Sequence, residues 1–178
     1  MPVVAARSPA ESVLPLAALD AVEIHALLAA YGAKLEHVAA GAPIPGSYWG
    51  DAEAGLVGAT VYVRTDTPAH SFLHELCHYI CMDAARRAAL ATDAGGTDDE
   101  ECGVCYLEVL LAERLTGFGA TRCLADMDAW GYSFREGSAR GWFDGDGVHA
   151  RAWLLGHGLV DLGGRPTLRL RTSADIYL

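Results

Sequence analysis

Lysine is nearly absent from this chain: Lys34 is the only one in 178 residues. With arginine the basic total is 13 against 23 acidic residues, a net charge of −10. No basic stripe exists to neutralise phosphates, which excludes nucleic acid as a partner of this chain alone. Long hydrophobic runs are missing too. No stretch of about 18 apolar residues offers a membrane span. The start, Met1 to Ser12, lacks the apolar segment of a secretory signal and reads as an unsignalled leader. Cysteines number five, an odd count without a secreted spacing. Reduced thiols in a bacterial-type cytoplasm fit that pattern. What the chain does have is apolar residues, 52% of the total, enough for a real core without disulfides.

Organisation follows from periodicity and breakers. Residues 1–18, with Pro2, Pro9 and Pro15, read as a flexible leader, and 19–178 as one domain. Leu19 to Tyr31 has helical period and stops at Gly32. Lys34 to Val38 is a short strand, and Gly41 to Gly55 is a turn-rich loop holding Tyr48 and Trp49. Leu56 to Arg64 (LVGATVYVR) is the clearest strand, rich in Val, Thr and Tyr. A long helix is predicted from Pro68 to Ala91, with Thr67 as N-cap and Pro68 at N1. After a break at Thr92 to Thr97, the acidic run Asp98-Asp99-Glu100-Glu101 opens a second long helix to Thr116, its charges suited to a helix N-terminus. Asp126 to Gly147 is an aromatic, Gly-rich loop or lid around a short helix. Val148 to Leu155 is a helix, and Thr167 to Arg171 (TLRLR) is a final strand.

The chemistry sits in the first long helix. His74-Glu75-Leu76-Cys77-His78 reads H-E-x-x-H. Positions i and i+4 share one helix face, so two imidazoles reach one zinc ion at about 2.0–2.1 Å. The Glu between them is placed to take a proton from a water that the metal activates. The surrounding residues, from Phe72 to Ala85, are apolar or small nearly all round, the mark of a buried helix. Two core histidines bonded to backbone are the bland alternative. A metal satisfies both rings at once, and an unsatisfied buried polar group costs about 1–3 kcal/mol.

A catalytic zinc has three protein ligands and one open position. The third is expected on the acidic helix, from among Asp98, Asp99, Glu100, Glu101 and Glu108. At about 100° per residue, Gly103, Val104, Leu107, Leu110, Leu111 and Leu115 gather around Glu100, whereas Glu101 and Glu108 share another side. Glu100 is therefore the carboxylate embedded in the core stripe, where it must meet a cation. The reading is His74, His78 and Glu100, with Glu101 as the alternative. Gly103, one turn on, lets this helix cross the metal helix closely.

These segments together resemble the minimal gluzincin-type metallopeptidases of the ImmA/IrrE kind. The likeness runs from about Leu56 to Leu111, through LVGATVYVR, HSFLHELCHYICM and EECGVCYLEVLL. It implies an α+β, zincin-like fold: a small mixed or antiparallel sheet packed on the HExxH helix and a second ligand-bearing helix. It further implies one zinc held by His74, His78 and Glu100, with Glu75 as general base. Cys77 stands where that family has Gly, and no helix-turn-helix module accompanies the motif.

Several other residues bear on the site. His70, one turn before His74, is a candidate to assist the ligands or substrate, or else fills the helix start. Tyr132, His149, His157 and Arg135 are candidate donors to the oxyanion of a tetrahedral intermediate. Cys102 and Cys105 read C-x-x-C, which inside an apolar helix indicates core packing; joined by Cys77 and Cys81 they would form a four-thiolate site with unusual spacing. Glu108 reads as a solvated group or a partner to a ligand. The strand 56–64, just before the metal helix, is a candidate to pair an extended substrate. The expectation is a cytoplasmic zinc-dependent hydrolase, a metallopeptidase acting on a peptide or protein through Glu75. The alternative is a catalytically silent protein of the same fold that binds metal and a protein partner.

Overall fold

The computed structural model describes residues 13–47, 52–90 and 95–172. Tyr48 and Trp49, residues 1–12 of the expected leader and part of the break after the metal helix lie outside them. The architecture is α+β: seven α-helices and a three-stranded mixed sheet among the described residues. None of these helices is long and apolar enough to cross a membrane.

Helix α1 (Ala21–Ala30) starts where Asp20 accepts a hydrogen bond from the Val22 amide, and Gly32, at φ +70°, turns the chain out of it. Strand β1 (Lys34–His37) then lies parallel to β3 (Thr60–Val63), and β2 (Gly55–Val57) pairs antiparallel with β3. The predicted single strand 56–64 is thus two strands, folded back at Gly58, whose φ of +58° suits glycine. Strand order β1-β3-β2 leaves β3 in the middle, with no free edge for a substrate. The outer side of β2 is covered as well. A Cβ on Gly46 would stand 2.5 Å from the Leu56 carbonyl oxygen, so the turn at Pro45–Ser47 lies directly against that strand.

Helix α2 (Ala69–Cys81) runs through the centre, with eleven of its thirteen residues buried. Thr67 is not its cap. The Thr67 hydroxyl accepts from the Arg64 amide at 2.8 Å and closes the preceding turn, while the Ala69 amide donates to the Leu14 carbonyl. Val13 and Leu16 are buried, so these two residues of the expected leader belong to the core. The helix also ends earlier than predicted. Met82 is extended, and Asp83 caps a separate short helix, α3 (Ala84–Ala89), through the Arg86 amide.

Helix α4 (Asp98–Ala112) begins at Thr97, whose hydroxyl accepts from the Glu100 amide, and packs along α2. Gly103 does not face α2. A Cβ there would stand 2.7 Å from the Trp153 ring on α7 (Gly147–Gly156), so the missing side chain makes room for an indole. Helices α5 (Gly119–Trp130) and α6 (Ala139–Asp144) occupy much of the segment expected as a loop or lid. The final strand expected at 167–171 is not one. The segment instead docks on the end of α2, where the Arg171 amide donates to the Ile80 carbonyl and Arg87 donates to the Arg171 carbonyl.

Candidate metal centre

The i, i+4 spacing on α2 brings the two HExxH histidines together: His74 Nε2 and His78 Nε2 are 3.1 Å apart. A carboxylate from α4 completes the cluster. Glu101 Oε1 lies 3.3 Å from His74 Nε2, and Glu101 Oε2 lies 3.5 Å from His78 Nε2. Donors bound to one ion at about 2.0–2.2 Å stand roughly 3.3 Å apart along a tetrahedral edge. Each imidazole nitrogen is about one such edge from the other and from one Glu101 oxygen, Oε1 for His74 and Oε2 for His78, so the three side chains could hold a single small cation. The donor types, two imidazoles and a carboxylate, suit a divalent metal of the zinc kind.

Glu100, the ligand favoured from the sequence, is not in this cluster. It is buried as expected, at 2% exposure, and it does meet cations, but they are guanidinium groups. Arg86 Nη1 reaches Glu100 Oε2 at 2.7 Å, and Arg171 Nη1 reaches the same oxygen at 2.8 Å. Arg171 is itself buried and also donates to the Cys81 carbonyl. Glu100 thus ties α3 and the C-terminal segment to the start of α4. The sequence alternative, Glu101, is the carboxylate that the fold delivers to the histidines.

Behind this cluster stands Glu108, fully buried, with Oε2 2.8 Å from His74 Nδ1. A His74 Nδ1–H donated to this carboxylate leaves the Nε2 lone pair facing the cluster. Burial disfavours a charged His74. Tyr132, Cys105, Glu101 and Glu108 outweigh it and hold the imidazole pKa well above its ordinary value. Burial also works to raise Glu101, yet the hydrogen bond from His74 and the charges of both histidines bring its pKa below the usual carboxylate value. Glu75, the glutamate of the HExxH motif, sits among carboxylates. Burial pushes it up to about 7, opposed by His74 and reinforced by Glu53, Glu101 and Glu108.

The cluster opens into a cleft of about 530 Å³, whose walls include Glu53, His70, Glu75, Trp130, Tyr132 and Trp142. Tyr132 stands edge-on to both His70 and His74, with ring centroids at 5.6 and 5.8 Å. His70 is 1% exposed, and neither ring nitrogen has a hydrogen-bond partner among the described residues. Burial drives its pKa down to about 3, with a further push from His74, so its ring is neutral. Of the other oxyanion candidates, His149 and Arg135 are exposed and His157 packs at a tilt against Trp153 at the end of α7; none of the three lines the cleft.

Cys105 carries more than the sequence suggested. Among the described residues, His74, Glu101 and Cys105 each offer one ligand atom within 4.8 Å of the others. Glu101 and Cys105 are one turn apart on α4, the same spacing as His74 and His78 on α2. Cys77 and Cys81 are instead fully buried in the core and Cys102 is exposed, so no four-thiolate cluster forms among the described residues. Glu53 was also missed, because it belongs to a loop without periodicity. No family model, no curated protein and no solved structure matches this chain.

Proposed function

We propose that this chain is a zinc-dependent hydrolase, a metallopeptidase-like enzyme of zincin type similar in site design to the ImmA/IrrE kind. The convergence of His74 Nε2, His78 Nε2 and the Glu101 carboxylate within 3.1–3.5 Å carries the reading. Those three residues would hold the ion, and the ion would supply Lewis acidity toward a carbonyl oxygen and a water. Glu75 is the proton carrier. Its burial and its carboxylate neighbours raise its proton affinity toward neutrality, which suits a group that first accepts a proton and later delivers it to the leaving amine. Glu108 fixes the His74 ring, and Tyr132 stands beside both, at the cleft wall.

Metal analysis of the purified protein tests this reading together with one variant. About one zinc per chain is expected, retained in Glu75→Gln while hydrolysis of a peptide library is lost. A folded protein that takes up no zinc refutes the proposal.

The position of Cys105 favours a second reading. A thiolate at the fourth position would close the centre with four protein ligands, as in structural zinc sites. The chain would then be a metal-binding regulatory or protein-interaction protein without turnover.

A further inference from the structure

We propose that Glu53, His70 and Trp130 form a subsite that binds a primary ammonium group of the substrate. The inference rests on the hydrolase reading for what the bound molecule undergoes, but not for its binding. Among the described residues the cleft wall contains no lysine or arginine and three carboxylates, Glu53, Glu75 and Glu101. Glu101 is taken up by the metal cluster and Glu75 by the proposed proton transfer. Glu53 is not, and it is held in place by the fold. The Ala54 amide next to it donates to Ser71 Oγ on α2 at 2.9 Å, and Trp130 Nε1 on α5 donates to Glu53 Oε1 at 3.1 Å. Glu53 Oε2 has no partner among the described residues.

An independent observation points to the same place. His70 is 1% exposed at the cleft wall, and both of its ring nitrogens are without partners among the described residues. Buried polar atoms are otherwise nearly always satisfied, so the acceptor nitrogen of the neutral His70 ring is open to a donor from a bound group. Trp130 links the two features. Its indole holds Glu53, and its ring stands edge-on to His70 with centroids 5.4 Å apart. An ammonium carries three N–H donors and no acceptor. A carboxylate oxygen and an imidazole nitrogen would accept two of them. A carboxylate or phosphate on the substrate would meet the like charge of Glu53 at this subsite. The subsite therefore favours a free amino terminus or a lysine side chain, and disfavours a carboxy-terminal group.

Titration calorimetry on the full-length protein separates the two sources. The probes are leucinamide, with a free α-amine; Nα-acetyl-lysinamide, with a side-chain amine; and Nα-acetyl-leucinamide, with neither. One of the amines should bind at least about tenfold more tightly than the neutral amide, and which one identifies the source. Glu53→Gln should remove about that factor for the amine and leave the neutral amide unchanged. Trp130→Phe, which removes the N–H that orients Glu53 together with part of the ring, should give a smaller loss in the same direction and serves if the first variant does not fold. Equal binding of all three probes, or amine binding indifferent to both variants, overturns the subsite. Zinc content measured on the same samples reports separately on the hydrolase reading, so either can fail without the other.

Discussion

His74 and Glu108 meet through a single hydrogen bond: His74 Nδ1 lies 2.8 Å from Glu108 Oε2, and the glutamate side chain is fully buried. The carboxylate has no solvent to fall back on, so its orientation and that of the imidazole are set together. A ligand histidine held this way keeps its tautomer and gains basicity, and loss of such a partner costs about 10–100-fold in metal affinity. Glu108→Gln should therefore weaken zinc binding by about that factor while one ion per chain still loads at saturation. Competition against a chromophoric chelator measures it, and an unchanged affinity would deny Glu108 this role.

Glu100 and Glu101 are adjacent in sequence and should fail in opposite ways. Glu101 is about half exposed and touches both histidines, so Glu101→Gln should abolish stable zinc binding with little effect on the metal-free fold. Glu100 is the counter-ion of buried Arg171 and of Arg86. Glu100→Gln removes the carboxylate that the two guanidinium groups share, and breaking a buried ion pair costs about 3–5 kcal/mol. Zinc content should stay at one ion per chain in whatever fraction remains folded. Thermal melts beside metal analysis distinguish the pair; the reverse pattern would restore Glu100 as the ligand.

The confusion between these two glutamates shows where sequence reading ends. The helical wheel located Glu100 in the apolar stripe, and burial required a cation; both hold. The wheel could not say that the cation was Arg171, 71 residues away, because TLRLR looks like a strand until its docking on α2 is seen. His74 and His78 were legible because their spacing is a property of one helix. Glu53 and Cys105 were not, since their roles depend on which elements pack together. The same distinction applies to the fold. The elements α1, β1, α2, α4 and α7 could be read, whereas α5, the docking of 167–171, the β2–β3 fold-back at Gly58, the break at Met82 and the covered outer side of β2 depend on residues meeting partners elsewhere along the chain.

His70 links stability to pH with a definite sign. Burial holds its pKa near 3 in the folded protein, against about 6.5 in an unfolded chain. Between those values the unfolded state binds the extra proton, so stability falls as pH drops from about 6.5 toward 3. His70→Phe keeps a ring in the same space and removes the proton site. The variant should be more stable than the parent, by about 3 kcal/mol more at pH 4 than at pH 7. Urea denaturation of the metal-free proteins at both pH values checks the difference. Parallel pH dependence in the two proteins would mean that the His70 ring is already charged or solvated.

The fourth position of the centre is open to direct assay through cobalt. Cys105 Sγ lies in one group with the ligand atoms of His74 and Glu101, all within 4.8 Å of one another, so a sulfur ligand is geometrically within reach. A thiolate on cobalt(II) gives intense near-ultraviolet charge-transfer absorption that nitrogen and oxygen ligands lack. A band present in the parent and gone in Cys105→Ser would assign the fourth position to sulfur, and with it the silent, closed centre. The hydrolase requires water at that position. The outcome expected here is a cobalt protein without the sulfur band, its visible spectrum unaltered by Cys105→Ser, because only an open fourth position leaves Glu75 a water to deprotonate.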